Sequence, residues 1–197
     1  MDQEKKDRRV RRTRQLLQDA LLSLLKEKRY EDISVQDIIQ RADVARSTFY
    51  VHYVDKDDLL MGGQGIFAGG FDQHSGERHF VETKNISVFS VQLWFQHIKM
   101  QSPILKIMEK DSAMELAMKT LHGIIKHDVE DKVQRHLKIE NGAVPSSLIV
   151  DYLAGSLMIL LTWWLKQGMP HPPERMDEIF QQLVMPGVSS FLEDRII

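Results

Sequence analysis

The chain has 197 residues, 43% of them hydrophobic, which is enough apolar material for a core in one large domain or two closely packed small ones. It contains no cysteine, which excludes a disulfide framework, a thiolate metal site and a cysteine nucleophile, and suits a reducing cytoplasm better than secretion. Formal net charge is only −2 but unevenly placed: residues 1–57 hold 13 Lys/Arg against 11 Asp/Glu, and the remainder 13 against 17. Residues 5–14 carry seven basic side chains against Asp7 alone, an excess that suits a polyanion or, equally, a solvated tail. The opening MDQEKKDRRVRRTR is charged rather than apolar, unlike a secretory signal.

Period-two alternation is almost absent and apolar residues recur at helical spacing, so an all-α fold is expected. The first helix is expected over 8–28, with Leu17, Ala20, Leu21, Leu24 and Leu25 on one stripe. Its stop signal is weak, because Arg29 stands where glycine would be the easier left-handed cap. Ser34 is a good N-cap for the next helix, with Asp37 as a short capping-box acid and an end near Arg41. A few residues, 42–44, separate it from a helix that begins at Ala45 or Arg46 and ends near His52, the outline of a helix-turn-helix.

A fourth helix starts at Asp55, whose side chain can cap it, and runs toward Phe67. Glycines 62, 63, 65, 69, 70 and 76 then weaken any helix by about 1 kcal/mol each relative to alanine, which puts the connection between head and body there. The expected division is a head at 1–57 and a body at 58–197. Body helices are expected over 86–101, 103–109, 112–137, 146–167 and 173–192. Asn141-Gly142 and Gly168-Met169-Pro170 mark breaks, and Pro186-Gly187 should kink or split the last helix. The apolar stretch 148–165 is about as long as a membrane span, but Asp151, Tyr152, Gly155, Ser156 and Thr162 interrupt it, and it is read as a buried helix with no membrane partner.

In ISVQDIIQRADVARSTFYVHYVDKDDLL, residues Ile33, Val35, Ile38, Ile39, Ala42, Val44, Phe49, Tyr53 and Leu59 can close one three-helix core. Arg46, Ser47 and Tyr50 are left on an outer face of the third helix, with Thr48 at its edge. Those side chains suit a DNA groove: arginine donates two bonds to guanine, serine and threonine bond bases or phosphates, and a tyrosine hydroxyl reaches a phosphate oxygen.

Residues 8–60 resemble the DNA-binding head of the TetR/AcrR family of bacterial repressors, most specifically in Ser47-Thr48-Phe49-Tyr50-Val51-His52-Tyr53 followed by Lys56 and Leu59-Leu60. The resemblance covers about a quarter of the chain. It implies an N-terminal three-helix helix-turn-helix DNA-binding head plus a larger helical dimerisation and ligand-binding body. It further implies that Ser34 and Gln36 approach the DNA backbone, that Arg46, Ser47 and Thr48 face bases or adjacent phosphates, and that Tyr50, His52 and Lys56 clamp phosphates. The chain departs from the family pattern at Arg29 and Asp43, where glycines are usual, at Ala45, which replaces a small hydroxyl cap, and at Val54, which replaces a frequent proline. Taken singly, Tyr50 and His52 could pack on the first helix and Arg46 could pair with Asp43 or Asp55. As a set in this register, DNA contact is the stronger reading.

For the body, Leu148, Ile149, Leu153, Leu157, Met158, Leu160, Leu161, Trp163, Trp164 and Leu165 offer more apolar area than one stripe hides, and Gly155-Ser156 permits a close crossing. Met176, Ile179, Phe180, Leu183 and Val184 offer a second face, so a homodimer is expected. Trp94, Phe95, Ile98, Met100, Met108, Met114 and Met118 could line an apolar pocket for a small-molecule inducer, with His97, His122 or Gln101 orienting it, although such residues are more often plain core. The eight histidines form no zinc spacing, and the glycines lack a phosphate-loop ending, so no enzyme, cofactor or metal is expected. The partners expected are a double-stranded DNA operator and a second copy of the chain, in the cytoplasm, for a repressor released by ligand. The alternative is a helical dimeric adaptor that binds no operator.

Overall fold

The computed structural model describes residues 2–61, 89–109, 111–136 and 144–188, with side chains described from Arg8 onward and, in the third stretch, as far as Arg135. Among these residues every regular element is helical and no strand occurs. In chain order the α-helices are α1 (Asp2–Leu24), α2 (Val35–Ala42), α3 (Arg46–His52), α4 (Lys56–Met61), α5 (Gln92–Met100), α6 (Ser102–Ile107), α7 (Ser112–His136), α8 (Ser146–Lys166) and α9 (Pro173–Leu183). Contacts divide the chain into two compact units, residues 1–80 with 101–118, and residues 81–100 with 119–197.

In the first unit, α1 starts and ends earlier than its apolar pattern suggests. Leu17, Ala20, Leu21 and Leu24 are buried on it, and a 3-10 turn, Tyr30–Asp32, leads to α2. Arg29 has φ −65 and ψ 148, so this junction is extended and requires no left-handed residue. The missing glycine is therefore without consequence here.

Ser34 and Asp37 form the expected capping box: Asp37 N–H donates to Ser34 Oγ at 3.1 Å, and Ser34 N–H donates to Asp37 Oδ2 at 2.8 Å. These bonds, the Ser34 hydroxyl first, hold the Asp37 carboxyl well below the usual carboxylate range. Asp43 ends α2 at φ 51, the left-handed conformation that aspartate tolerates better than most residues. Arg41 ties α2 to the end of α1 through one bond to Ser23 at 2.6 Å, and to the turn that follows α1 through two bonds to Glu27, at 2.8 and 2.6 Å.

Ile33, Ile38, Ile39, Ala42, Phe49, Tyr53 and Leu59 close the core as expected, with Val35 and Val44 only half-buried. Phe49 is fully buried, and such a side chain contributes roughly 1.5–3 kcal/mol. Asp55 caps α4 by accepting from Asp58 N–H at 2.7 Å. The expected run of this helix to Phe67, the glycine-rich stretch and the break at Asn141-Gly142 lie outside the described residues.

In the second unit α5 begins later than its pattern suggests, after Val91 N–H donates to Asp177 Oδ1 of α9 at 2.6 Å. Gln92 reaches Glu174 of α9 at 3.0 Å, and Lys126 of α7 pairs with Asp151 of α8 at 2.6 Å. Phe95 meets Trp164 edge-on, with ring centroids 5.1 Å apart. Helix α8 is long and apolar enough to cross a membrane, but buries Ile149, Val150, Leu153, Ala154, Leu157, Leu161 and Trp164 within the protein. The break after α8 is made by Gly168 and Met169 in left-handed conformation. The last expected helix is split, with α9 ending at Leu183 and a 3-10 turn, Met185–Gly187, carrying Pro186. Its expected extension to Leu192 lies outside the described residues.

Candidate nucleic-acid interface

Helix α3 is seven residues long and anchored by Phe49, which stacks edge-on with Tyr50 at 5.3 Å and tilted with Tyr53 at 6.0 Å. This anchoring leaves Arg46, Ser47 and Tyr50 exposed on one side and Thr48 half-buried at its edge. Tyr50 keeps 49% of its surface accessible, too much for a residue that merely packs on α1. Arg46 lies over the Tyr50 ring at 5.6 Å and donates to its hydroxyl at 3.5 Å, rather than pairing with Asp43 or Asp55. The pair leaves the guanidinium and the phenol facing outward together, one a fork of donors and the other a donor and acceptor.

Two further site residues are engaged within the fold. The Ser34 hydroxyl accepts from Asp37 N–H and itself donates to Asp37 Oδ2 at 2.7 Å, whereas Gln36 is exposed. Lys56 Nζ donates to the carbonyls of Tyr30 and Ile33 at 2.7 and 2.8 Å, and sits 4.4 Å from the Tyr30 ring centroid. Its ammonium thus holds the α1–α2 connection to α4, a tertiary role that spacing could not reveal.

His52 is half-buried at the end of α3. Its pKa is lowered from the ordinary 6.5 by burial and by the positive charge of Arg14 in α1. The same charge reaches Tyr53, whose hydroxyl is buried and makes no hydrogen bond among the described residues. The positive charge of Arg14 in α1 thus acts on His52 and Tyr53 at the end of α3. Sequence reading found the basic run at 5–14 but not this placement, which depends on how α1 crosses the head. Arg8, Arg11 and Arg12 are exposed on the same helix.

On the second unit the face available to a partner differs from the list read off the sequence. Leu153, Leu157, Leu161 and Trp164 are buried within the unit, as are Met176, Phe180 and Val184. Leu148 (57%), Tyr152 (42%), Ile159 (70%) and Trp163 (42%) stay exposed on α8, and Leu183 (68%) on α9. Gly155 lies between Tyr152 and Ile159, with open space where a Cβ would stand.

The candidate ligand residues are divided between the two units: Trp94, Phe95, Ile98 and Met100 belong to the second, Gln101, Met108, Met114 and Met118 to the first. Met100 is 75% exposed, and the space enclosed by Trp94, Val129, Leu157 and Phe180 is about 10 Å³, room for at most one water.

Two family models match the chain. One, described as bacterial regulatory proteins of the tetR family, covers residues 17–61, and the other, described as a transcriptional regulator C-terminal region, covers residues 90–186. The uncharacterized HTH-type transcriptional regulator YxbF of Bacillus subtilis is 49% identical over 55 residues, 27% of this chain and 14% of that protein. A second from that organism, YwcC, is 44% identical over 43 residues, 22% of this chain and 19% of that protein. The match thus spans about a seventh and a fifth of the length of these curated relatives. Among solved structures, a TetR transcriptional regulator from Streptococcus agalactiae aligns with a TM-score of 0.53 at 24% identity, over 91% of this chain and 97% of that one. A protein described as a TetR-family regulator from Syntrophomonas wolfei aligns with 0.57 at 20% identity, over 93% and 98%. At such identities the likeness concerns the fold.

Proposed function

The chain belongs to the TetR family of bacterial transcriptional regulators, and on that premise we propose that it is a cytoplasmic, homodimeric repressor that binds a pseudo-palindromic DNA operator and is released by a small molecule. As a family member it is a transcription regulator and not an enzyme. The head at 1–57 would read DNA and the body at 58–197 would dimerise and sense the ligand.

The observation that carries this reading is the outward row of Arg46, Ser47 and Tyr50 on a helix anchored by buried Phe49, with the charge of Arg14 alongside. Arg46 and Ser47 suit base edges, and Thr48 an edge or a neighbouring phosphate. Tyr50 and His52 suit phosphates, and Gln36 with Ser34 lies where α2 would meet the backbone. Lys56 acts first through Tyr30 and Ile33, so its contribution to a phosphate would come from its charge rather than from a free ammonium.

Dimerisation is supported by the exposed row Leu148, Tyr152, Ile159 and Trp163 around Gly155, apolar area that a second copy can cover by the same face. Two heads related by a two-fold axis would then read half-sites one turn of DNA apart, roughly 34–36 Å. Release by a ligand would follow from preferential binding to a state whose heads no longer fit the operator.

The test is enrichment of duplexes from a randomised pool by the purified protein. An inverted repeat with half-sites about one helical turn apart is expected. Failure to enrich any motif, with the dimer intact, would favour the adaptor reading instead.

A further inference from the structure

Asp111 stands between α6 and α7, and its two carboxylate oxygens serve different elements. Oδ1 accepts from Ala113 N–H at 3.1 Å and from the Ser112 hydroxyl at 3.2 Å, capping α7. Oδ2 accepts from the backbone N–H of Tyr30 at 2.7 Å, across 81 residues of sequence.

Tyr30 opens the 3-10 turn between α1 and α2, and its other polar groups are also held from outside that turn. Its carbonyl accepts from Lys56 Nζ, and its hydroxyl donates to Asp57 Oδ1 at 2.5 Å. The turn is therefore clamped by the first residues of α4 on one side and by the cap of α7 on the other. Ser34, which starts α2, follows four positions after Tyr30.

Helix α7 is continuous over Ser112–His136, and its residues 119–136 group with the second unit. Its buried residues Ala113, Ala117, Leu121, Ile125, Val129 and Val133 recur every fourth position along its length.

We propose that Asp111 is a positioning residue for DNA binding: one carboxylate caps α7 and holds the Tyr30 amide, so that the first turn of α7 fixes where the helix-turn-helix begins. The inference rests on the DNA-binding reading above. Burial acts to raise the Asp111 pKa, and the amides of Tyr30 and Ala113 outweigh it and keep the carboxyl below its ordinary value, as two separate bridges to one carboxylate require.

Asp111→Ser separates the two roles, because serine caps a helix about as well as aspartate but its single short arm cannot also reach Tyr30. The probe is the duplex enriched by the wild-type protein from the randomised pool. In the variant, the Tyr30 amide should exchange at least about tenfold faster while amides within α7 keep their protection. The dissociation constant for the duplex should weaken by about three- to tenfold with an unchanged salt slope, since no phosphate contact is lost. Asp111→Asn, which has one acceptor oxygen for two amides, should fall between. An unchanged Tyr30 exchange rate, or wild-type affinity despite faster exchange, would overturn the proposal while leaving the DNA-binding reading intact. If the wild type enriches no duplex, the DNA-binding reading fails and this role falls with it.

Discussion

His52 carries an imidazole whose folded pKa lies below 6.5 because burial and Arg14 both disfavour the cation. The unfolded chain therefore binds more protons just below that value, and this group costs stability as pH falls through it. A DNA phosphate beside the ring reverses the preference and draws a proton on binding. Operator affinity should accordingly rise as pH falls from about 7.5 to about 5.5, and His52→Gln should flatten that dependence, as titrations at fixed salt would show. A pH profile unchanged by the substitution would remove His52 from the interface. At this scale the outward row Arg46, Ser47 and Tyr50 was legible, because three residues on a seven-residue helix are set by its geometry. The engagement of Lys56 and the bridge from Asp111 to Tyr30 were not, since both depend on contacts made far along the chain.

Among the elements, α2 is the clearest case of local sequence deciding local structure. The box between Ser34 and Asp37 sets its start, and Asp43, left-handed at φ 51, sets its end. Ser34→Ala should destabilise the protein by about 1 kcal/mol, read as a lower thermal midpoint, because Asp37 N–H would lose its acceptor. If the Ser34 hydroxyl serves only as the cap, the affinity of the folded variant for DNA will not change; a weaker dissociation constant at the same salt slope would assign it a phosphate as well, because a neutral hydroxyl releases no counterion. Helices α2, α3, α7 and α8 fall within a residue or two of expectation, α3 and α8 without a side-chain N-cap. The junction at Arg29 and the late start of α5 do not, because extended backbone and the Asp177 contact carry no local signature.

For the molecule as a whole, apolar composition pointed to a partner face on α8, but only the fold separates Leu153, Leu157 and Trp164, which face inward, from Leu148, Ile159 and Trp163, which do not. Ile159, 70% exposed in the single chain, should tolerate charge without loss of the fold. Buried at a two-fold interface it would not, because a charge would face its own copy there. Ile159→Arg should therefore sediment as a folded monomer and bind the operator more weakly; a dimer of unchanged stability would move the interface elsewhere.

The central claim is that α3 reads DNA. It is tested most directly by titrating the enriched duplex and a scrambled one over a salt series with the wild type and with the Arg46→Ala, Tyr50→Ala double variant. The account predicts tight, sequence-preferring binding that weakens steeply with salt in the wild type, and loss of both the preference and part of the salt slope in the variant. Equal affinity of the two proteins for both duplexes would contradict it.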